Sequence, residues 1–262
     1  MSGLITLITD FGDADHYVAC MKGVILQRTP QARIIDVTHR IRPQDPFAAA
    51  FVLRHVFPCF PAGTLHVAVV DPGVGGPRRI LAGRYARQTL LVPDNGILSL
   101  VHRDFEPESL RSVENSALML SDPSATFHGR DIFAPVASAL SSGLDVEQVG
   151  PAAPEPVLLD IERPTQLESG GLQGRIVYVD RFGNLISNIS EEDLRSLGRS
   201  KVRFSVILGS TPLGTLRSTY SDVPIGAHLA LIGSTGMLEV AINQGNAAAR
   251  LNATPGTALV VR

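Results

Sequence analysis

Asp71-Pro72-Gly73-Val74-Gly75-Gly76-Pro77-Arg78 places an acid, three glycines and a base within one short stretch. A carboxylate there can chelate a sugar diol, hold a metal or accept a proton. The glycines let backbone amides approach a ligand closely, and Arg78 can fold back across the turn toward Asp71. The plainer alternative is an acid capping its own turn beside a surface Arg. Asp10-Phe11-Gly12 presents a second acid followed by glycine, with Asp13 and Asp15 close enough in sequence for a divalent-metal cluster. His128 lies between Phe127 and Gly129 ahead of a helical run, where it can face a ligand; Arg130 and Asp131 beside it can simply pair. In the second half, Asp180-Arg181-Phe182-Gly183-Asn184 combines a group for an amine, a ring for stacking and an amide for a purine edge. It also fits a hairpin turn with glycine in the left-handed position. Gly233-Ser234-Thr235-Gly236 and Asn243 to Ala248 are two further polar turns. Gly73-Val74-Gly75-Gly76 lacks the spacing of a dinucleotide fingerprint and of a Walker loop.

The elements that must position these groups follow from hydrophobic pattern. Leu4 to Thr9, Ile34 to Val37 and Leu65 to Val70 read as buried strands, with helices over 15–26 and from Asp45-Pro46, as N-cap and first position, to about Val56. A β-α-β-α-β order predicts a mostly parallel sheet with right-handed crossovers. Acids at the ends of neighbouring strands would then share the crevice where such sheets bind ligands. Ile80–Tyr85 and Thr89–Val92 read as a hairpin, Ile97–His102 as a short helix and Ile132–Leu140 as a helix after the polar loop 124–131. Gly150-Pro151-Ala152-Ala153-Pro154-Glu155-Pro156 reads as an extended linker. The expected division is an α/β domain over 1–150, a Pro-rich linker over 151–171 and a smaller all-β domain over 172–262. Strands are expected at 175–179, 185–186, 202–208, 214–219, 229–232, 238–242 and 258–261, with a helix at 191–197 capped by Ser190. That pattern reads as a small antiparallel barrel or sandwich.

The totals exclude several classes. Net charge is −2 with no basic stripe, so no nucleic-acid footprint is expected. Cys20 and Cys59 suit neither a disulfide framework nor metal-ligand spacing, and read as reduced core residues of a cytoplasmic protein. The first residues lack the basic start of a signal peptide, and no apolar run reaches the roughly 18 residues of a membrane span.

Taken together, six motifs resemble one family. They are Thr9-Asp10-Phe11-Gly12 with Asp15 to Gly23; Val70 to Gly75; Pro93-Asp94-Asn95-Gly96; Thr126 to Asp131; Asp180 to Asn184; and Ser234 to Ala248. The chain resembles, over nearly its whole length, the S-adenosyl-L-methionine hydrolases, relatives of the fluorinases and chlorinases. The resemblance implies cleavage of S-adenosyl-L-methionine by water to adenosine and L-methionine, with no cofactor and no metal. It also implies a homotrimer whose active sites lie between subunits. By position, Asp71, Arg78 and His128 match the water-activating triad, with Asp71 expected to take the proton. Asp10 matches the residue that holds both ribose hydroxyls, Phe182 and Tyr220 the aromatic walls, and Asn184 an adenine contact. Asp180 and Ser234 match contacts to the methionine end; Tyr17 and Glu239 are carried into the substrate site with them. The fluorinases have Tyr and Ser where this chain has Asp71 and His128, and an insertion where it runs directly from Tyr85 to Thr89. Both differences point to hydroxide rather than halide. Three alternatives stay open: a halogenase-like enzyme, a non-catalytic adenosine-binding protein, and a metal-dependent phosphohydrolase using Asp10, Asp13 and Asp71.

Overall fold

Leu4–Thr9 forms β1, buried along its whole length, as a central parallel strand covered on both faces must be. The computed structural model describes residues 3–168, 170–197 and 204–262, and the chain divides into Met1–Leu159 and Asp160–Arg262. In the first unit β1 is followed by α1 (Tyr17–Arg28), β2 (Arg33–Thr38), α2 (Pro46–Val56), β3 (Leu65–Val69), β4 (Ile80–Tyr85), β5 (Gln88–Pro93), α3 (Ser99–Asp104), β6 (Pro107–Ser112) and α4 (Ala134–Ser141). The sheet order is β2-β1-β3-β5-β4-β6. β1 runs parallel to β2 and β3, and β3 parallel to β5; β4 is antiparallel to β5 and β6. Alternate residues face opposite sides of such a sheet. Ile5, Leu7, Val67 and Val69 join Met21 and Ile25 of α1 and Val136, Ala137 and Leu140 of α4 in one core. On the other face Thr6 Oγ1 meets His66 Nδ1 at 2.8 Å, His66 Nε2 meets Gln88 Oε1 at 2.9 Å, and Phe57 at the end of α2 packs on the His66 ring. A buried polar chain of this kind is tolerated because each member is paired.

Asp45 caps α2 as expected, its side chain accepting from Ala48 N–H. The helix after the polar loop starts differently. Gly129–Phe133 makes a π-helical turn before α4. Pro135 explains it: proline lacks the N–H that would bond the Asp131 carbonyl and crowds that carbonyl, which instead accepts from Leu120 N–H at 3.0 Å. The sequence reading omits β6, whose polar PESLRS pattern suits an exposed edge, and places the short helix α3 two residues early. Cys20 is half-buried, but Cys59 is exposed rather than in the core.

The second unit contains β7 (Thr165–Gln166), β8 (Leu172–Val179), β9 (Leu185–Ser190), α5 (Glu191–Ser196), β10 (Ser205–Leu208), β11 (Thr211–Arg217), β12 (His228–Ile232), β13 (Met237–Ile242), α6 (Ala247–Arg250) and β14 (Ala258–Val261). The order β14-β10-β11-β12-β13-β9-β8 closes on itself through β14–β8, with β7 added to β8. Closure removes free edges. It is not wholly antiparallel, since β11 and β12 run parallel. Val202, expected in a strand, lies outside the described residues. Ser190 caps α5 reciprocally with Asp193. The stretch 151–171, expected as a linker, holds β7 and the buried Ala153, and is shared between the two units.

Asp131 ties the loop before α4 in place. Wholly buried, it accepts from Arg130 Nε at 2.5 Å, Arg130 Nη2 at 2.9 Å and Ser124 N–H at 2.9 Å. Asp131→Ala should lower unfolding free energy by about 1–3 kcal/mol through the unpaired donors. Urea titration would show a lower midpoint at unchanged slope; an unchanged midpoint would mean that the loop is held by something else.

Candidate active site

The chain passes from β1 outward to β2, then returns to place β3 on the other side of β1. That reversal opens a crevice beyond the carboxyl ends of β1 and β3. Thr9 pairs with Val69 across the two strands, so Asp10 and Asp71 emerge beside each other. Both line one cavity of about 400 Å³, together with Tyr17, Phe127 and His128.

Arg78 folds back as its spacing suggested. Its Nε donates to Asp71 Oδ1 at 3.1 Å and Oδ2 at 2.8 Å, and its Nη2 to Oδ2 at 2.5 Å. Nη2 also donates to His128 Nδ1 at 2.7 Å. The Asp71 side chain is 4% exposed and that of Arg78 12%. A guanidinium has no acceptor, so His128 Nδ1 must accept and the proton of the neutral ring sits on Nε2. Burial, and then the charge of Arg78, push the His128 pKa below its ordinary value; Asp71 and Asp131 oppose this without reversing it. The site therefore holds a neutral imidazole with one N–H to offer.

Asp10 Oδ2 accepts from Gln44 N–H at 2.9 Å. Gln44 and Phe127 line the cavity and were not singled out from sequence. Gln44 adopts φ 62°, an uncommon conformation that aims its amide at Asp10. Phe127 meets Tyr17 edge-on with centroids 5.1 Å apart, and Phe11 meets Tyr17 at 5.7 Å. Of the acids that a metal-cluster alternative would need, Asp13 pairs with Arg40 at 2.5 Å, and among the described residues no three His, Cys, Asp or Glu side chains gather as metal ligands do. Arg130 and Asp131 pair with each other, as the plainer reading had it.

In the second unit Asp180 builds its own turn. Its Oδ1 accepts from the N–H groups of Phe182 and Asn184, at 2.9 and 2.8 Å, and its Oδ2 from Asn184 Nδ2 at 2.9 Å. Gly183 has φ 84°, and a Cβ there would lie 2.2 Å from Asn246. The turn thus holds Asn184 buried and leaves Phe182 74% exposed. Tyr220 donates to Glu239 Oε1 at 2.7 Å. Glu239 is 6% exposed, and burial, with the charge of Asp180 adding, raises its pKa despite the Tyr220 bond. The approach of Glu239 to Gly233, where a Cβ would meet Oε2 at 2.4 Å, joins the turn that carries Ser234 to the same end of the barrel. Beside Ser234, Thr235 Oγ1 is buried without a hydrogen-bond partner among the described residues.

Known proteins resemble this chain over nearly its whole length. Residues 5–150 match the model of the SAM hydroxide adenosyltransferase N-terminal domain and residues 174–260 that of its C-terminal domain. The (R)-S-adenosyl-L-methionine hydrolase of Thermus thermophilus is 39% identical, with 96% of each chain covered. That of Salinispora arenicola is 38% identical over 98% of this chain and 97% of its own. A fluorinase of Nocardia brasiliensis is 27% identical over 99% and 96%. An uncharacterized conserved protein of Thermotoga maritima superposes with a TM-score of 0.91 at 34% identity, covering 98% of this chain and 99% of that one.

The His128 geometry sets a pH dependence. Its folded pKa lies below the unfolded value of about 6.5, so the stability it contributes is complete above that pH and is lost as pH falls toward the folded value. Turnover should follow the same direction, keeping more than half its maximum at pH 6.5 and dropping further on the acid side. His128→Gln should remove that acid limb. A rate that already halves above pH 6.5 and recovers in the variant would contradict the neutral-imidazole assignment.

Proposed function

The chain belongs to the SAM hydroxide adenosyltransferase family, and from that premise we propose that it hydrolyses S-adenosyl-L-methionine to adenosine and L-methionine. The observation that carries this reading is the Arg78 guanidinium joining Asp71 to His128, both of which line the cavity that also holds Asp10. Water attacks C5′ of the ribose; the C5′–O bond forms as the C5′–S bond breaks. The leaving thioether is neutral and needs no proton, so the protein's task is to place and activate the water. His128 Nε2–H and Arg78 face the developing hydroxide-like charge. Asp71 Oδ1, which accepts one hydrogen bond, keeps an acceptor site for the proton. General-base help of this kind is worth about 10²–10⁴-fold, and holding the water in line with the breaking bond removes orientational entropy. Asp10 holds the ribose diol. The reaction needs neither cofactor nor metal.

In the second unit Phe182 and Tyr220 stack on the adenine, Asn184 reads its edge, and Asp180, Ser234 and Glu239 meet the methionine end. An exposed aromatic beside a buried carboxyl and an unpaired hydroxyl supports a surface that meets a ligand. We place these groups and the Asp10–Asp71 crevice in one site formed between subunits of a homotrimer. Among the described residues no helix is long and apolar enough to cross a membrane; action on a diffusible substrate in the cytoplasm is part of the proposed reading.

Purified protein should convert S-adenosyl-L-methionine to adenosine and methionine with EDTA present, and the relatives' names make the (R) sulfonium epimer the preferred one. Chromatography of each epimer's products tests this; methylthioadenosine, or no adenosine after long incubation, would sink the reading. For assembly, Asp71→Asn and Asn184→Ala should each be inactive alone, and co-expression should restore activity because some sites then combine two intact halves. A fully active monomer by light scattering would overturn the composite site.

A further inference from the structure

Behind the Asp10 turn lies a chain of polar side chains outside the proposed reaction. Lys22 Nζ is 2.5 Å from Asp36 Oδ2, and Asp36 Oδ1 is 3.0 Å from His39 Nε2. His39 Nδ1 is 2.9 Å from Thr9 Oγ1, which accepts from Phe11 N–H at 3.3 Å. The Asp36 carboxylate beside Nε2 favours the ring proton there, although Nε2 is not aligned for a hydrogen bond to it, and the Thr9 hydroxyl then donates to Nδ1. Acid, imidazole and hydroxyl in this order can activate a nucleophile. Here the hydroxyl belongs to a wholly buried Thr9 on a central strand, where no substrate reaches it. The chain therefore orients rather than attacks.

What it orients is the segment carrying Asp10. Gly12 N–H donates to the His39 carbonyl at 2.7 Å, Ile41 N–H to the Thr9 carbonyl at 3.3 Å, and Gln44 N–H to Asp10 Oδ2 at 2.9 Å. The segment 9–12 is thus sewn to 39–44 on both sides of Asp10. His39 sits at the join and contributes both its ring and its backbone. Its side chain is 10% exposed, whereas the Lys22–Asp36 pair beyond it is open to water and adds little on its own.

We propose that His39, hydrogen-bonded to Thr9 and 3.0 Å from the Asp36 carboxylate, is a positioning residue that sets the Asp10 carboxylate for the ribose diol. This rests on the hydrolase reading for the identity of the ligand, but its test does not depend on turnover. Adenosine is the probe, titrated by calorimetry against the full-length protein. His39→Ala and Thr9→Val, the second nearly isosteric, should each weaken adenosine binding by about tenfold, the size of one net hydrogen bond. In the hydrolysis assay the loss should fall on KM more than on kcat. Neither should weaken binding further in an Asp10→Ala background, because both act through that carboxylate. His39→Asn, whose amide can accept from Thr9 and donate toward Asp36, should recover part of the affinity. Losses that add to that of Asp10→Ala, or unchanged affinity in a folded Thr9→Val protein, would overturn the proposal. If wild-type protein binds adenosine with this pattern but releases none from S-adenosyl-L-methionine, the hydrolase reading fails and the positioning role stands.

Discussion

The arrangement around Arg78 depends on a charge that cannot stay buried alone. With its side chain 12% exposed, the guanidinium must be matched, and removing one partner of such a pair typically costs about 3–5 kcal/mol. Asp71 supplies the match at the end of β3, so the intervening loop has to close. Its composition allows that: Gly73 lies where a Cβ would stand 3.2 Å from Arg78 Cγ, and Gly75, at φ +77°, lies where a Cβ would stand 2.3 Å from the Ala125 carbonyl. The second contact locks the Asp71–Arg78 loop against the loop that carries His128. The tautomer of His128 then follows from Arg78 having only protons to offer. One ion pair thereby settles the loop path, the packing of its neighbour and the protonation of the imidazole.

How much of this was legible differs by residue. β1 and β3 were readable because strands buried on both faces are continuous apolar runs, and the acids ending them were readable because chemistry at a sheet's edge sits at strand ends. The fold-back of Arg78 was readable as a possibility, since a Gly- and Pro-rich stretch of that length can return on itself. The tautomer of His128 was not, because it depends on which atom of Arg78 arrives. Gln44 gave no signal: its role lies in a backbone amide at positive φ, and side-chain identity says little about that. The polar edge strand β6 and the π-helical turn were missed for a related reason. One is held by pairing with β4, and the other arises from Pro135 acting on the carbonyl four residues back.

The second unit shows the same limit from another side. The sequence offers Asp180 as a ligand group, yet three hydrogen bonds from within its own turn engage its oxygens. Its first task is to hold Asn184 buried and Phe182 outward, and any ligand contact uses the acceptor capacity that remains. Glu239 was carried from resemblance alone, yet it is the more deeply buried carboxyl of that end, with Tyr220 resting on it.

The charges of the two acids in the crevice then make sense only together with the substrate's. A sulfonium carries a positive charge next to the carbon under attack. An unmatched guanidinium about 4 Å away would repel it by roughly 4 kcal/mol at an effective dielectric of 20, several hundred-fold in affinity. Paired with Asp71, Arg78 presents directed N–H bonds with little net charge. It can steady a developing hydroxide without turning away the cation that the hydroxide must meet. Asp10 receives a backbone amide at Oδ2, and in the proposed mechanism its carboxylate serves the ribose side of the same ligand. In the proposed mechanism, proton acceptance is therefore the second duty of Asp71; cancelling the charge of Arg78 is the first.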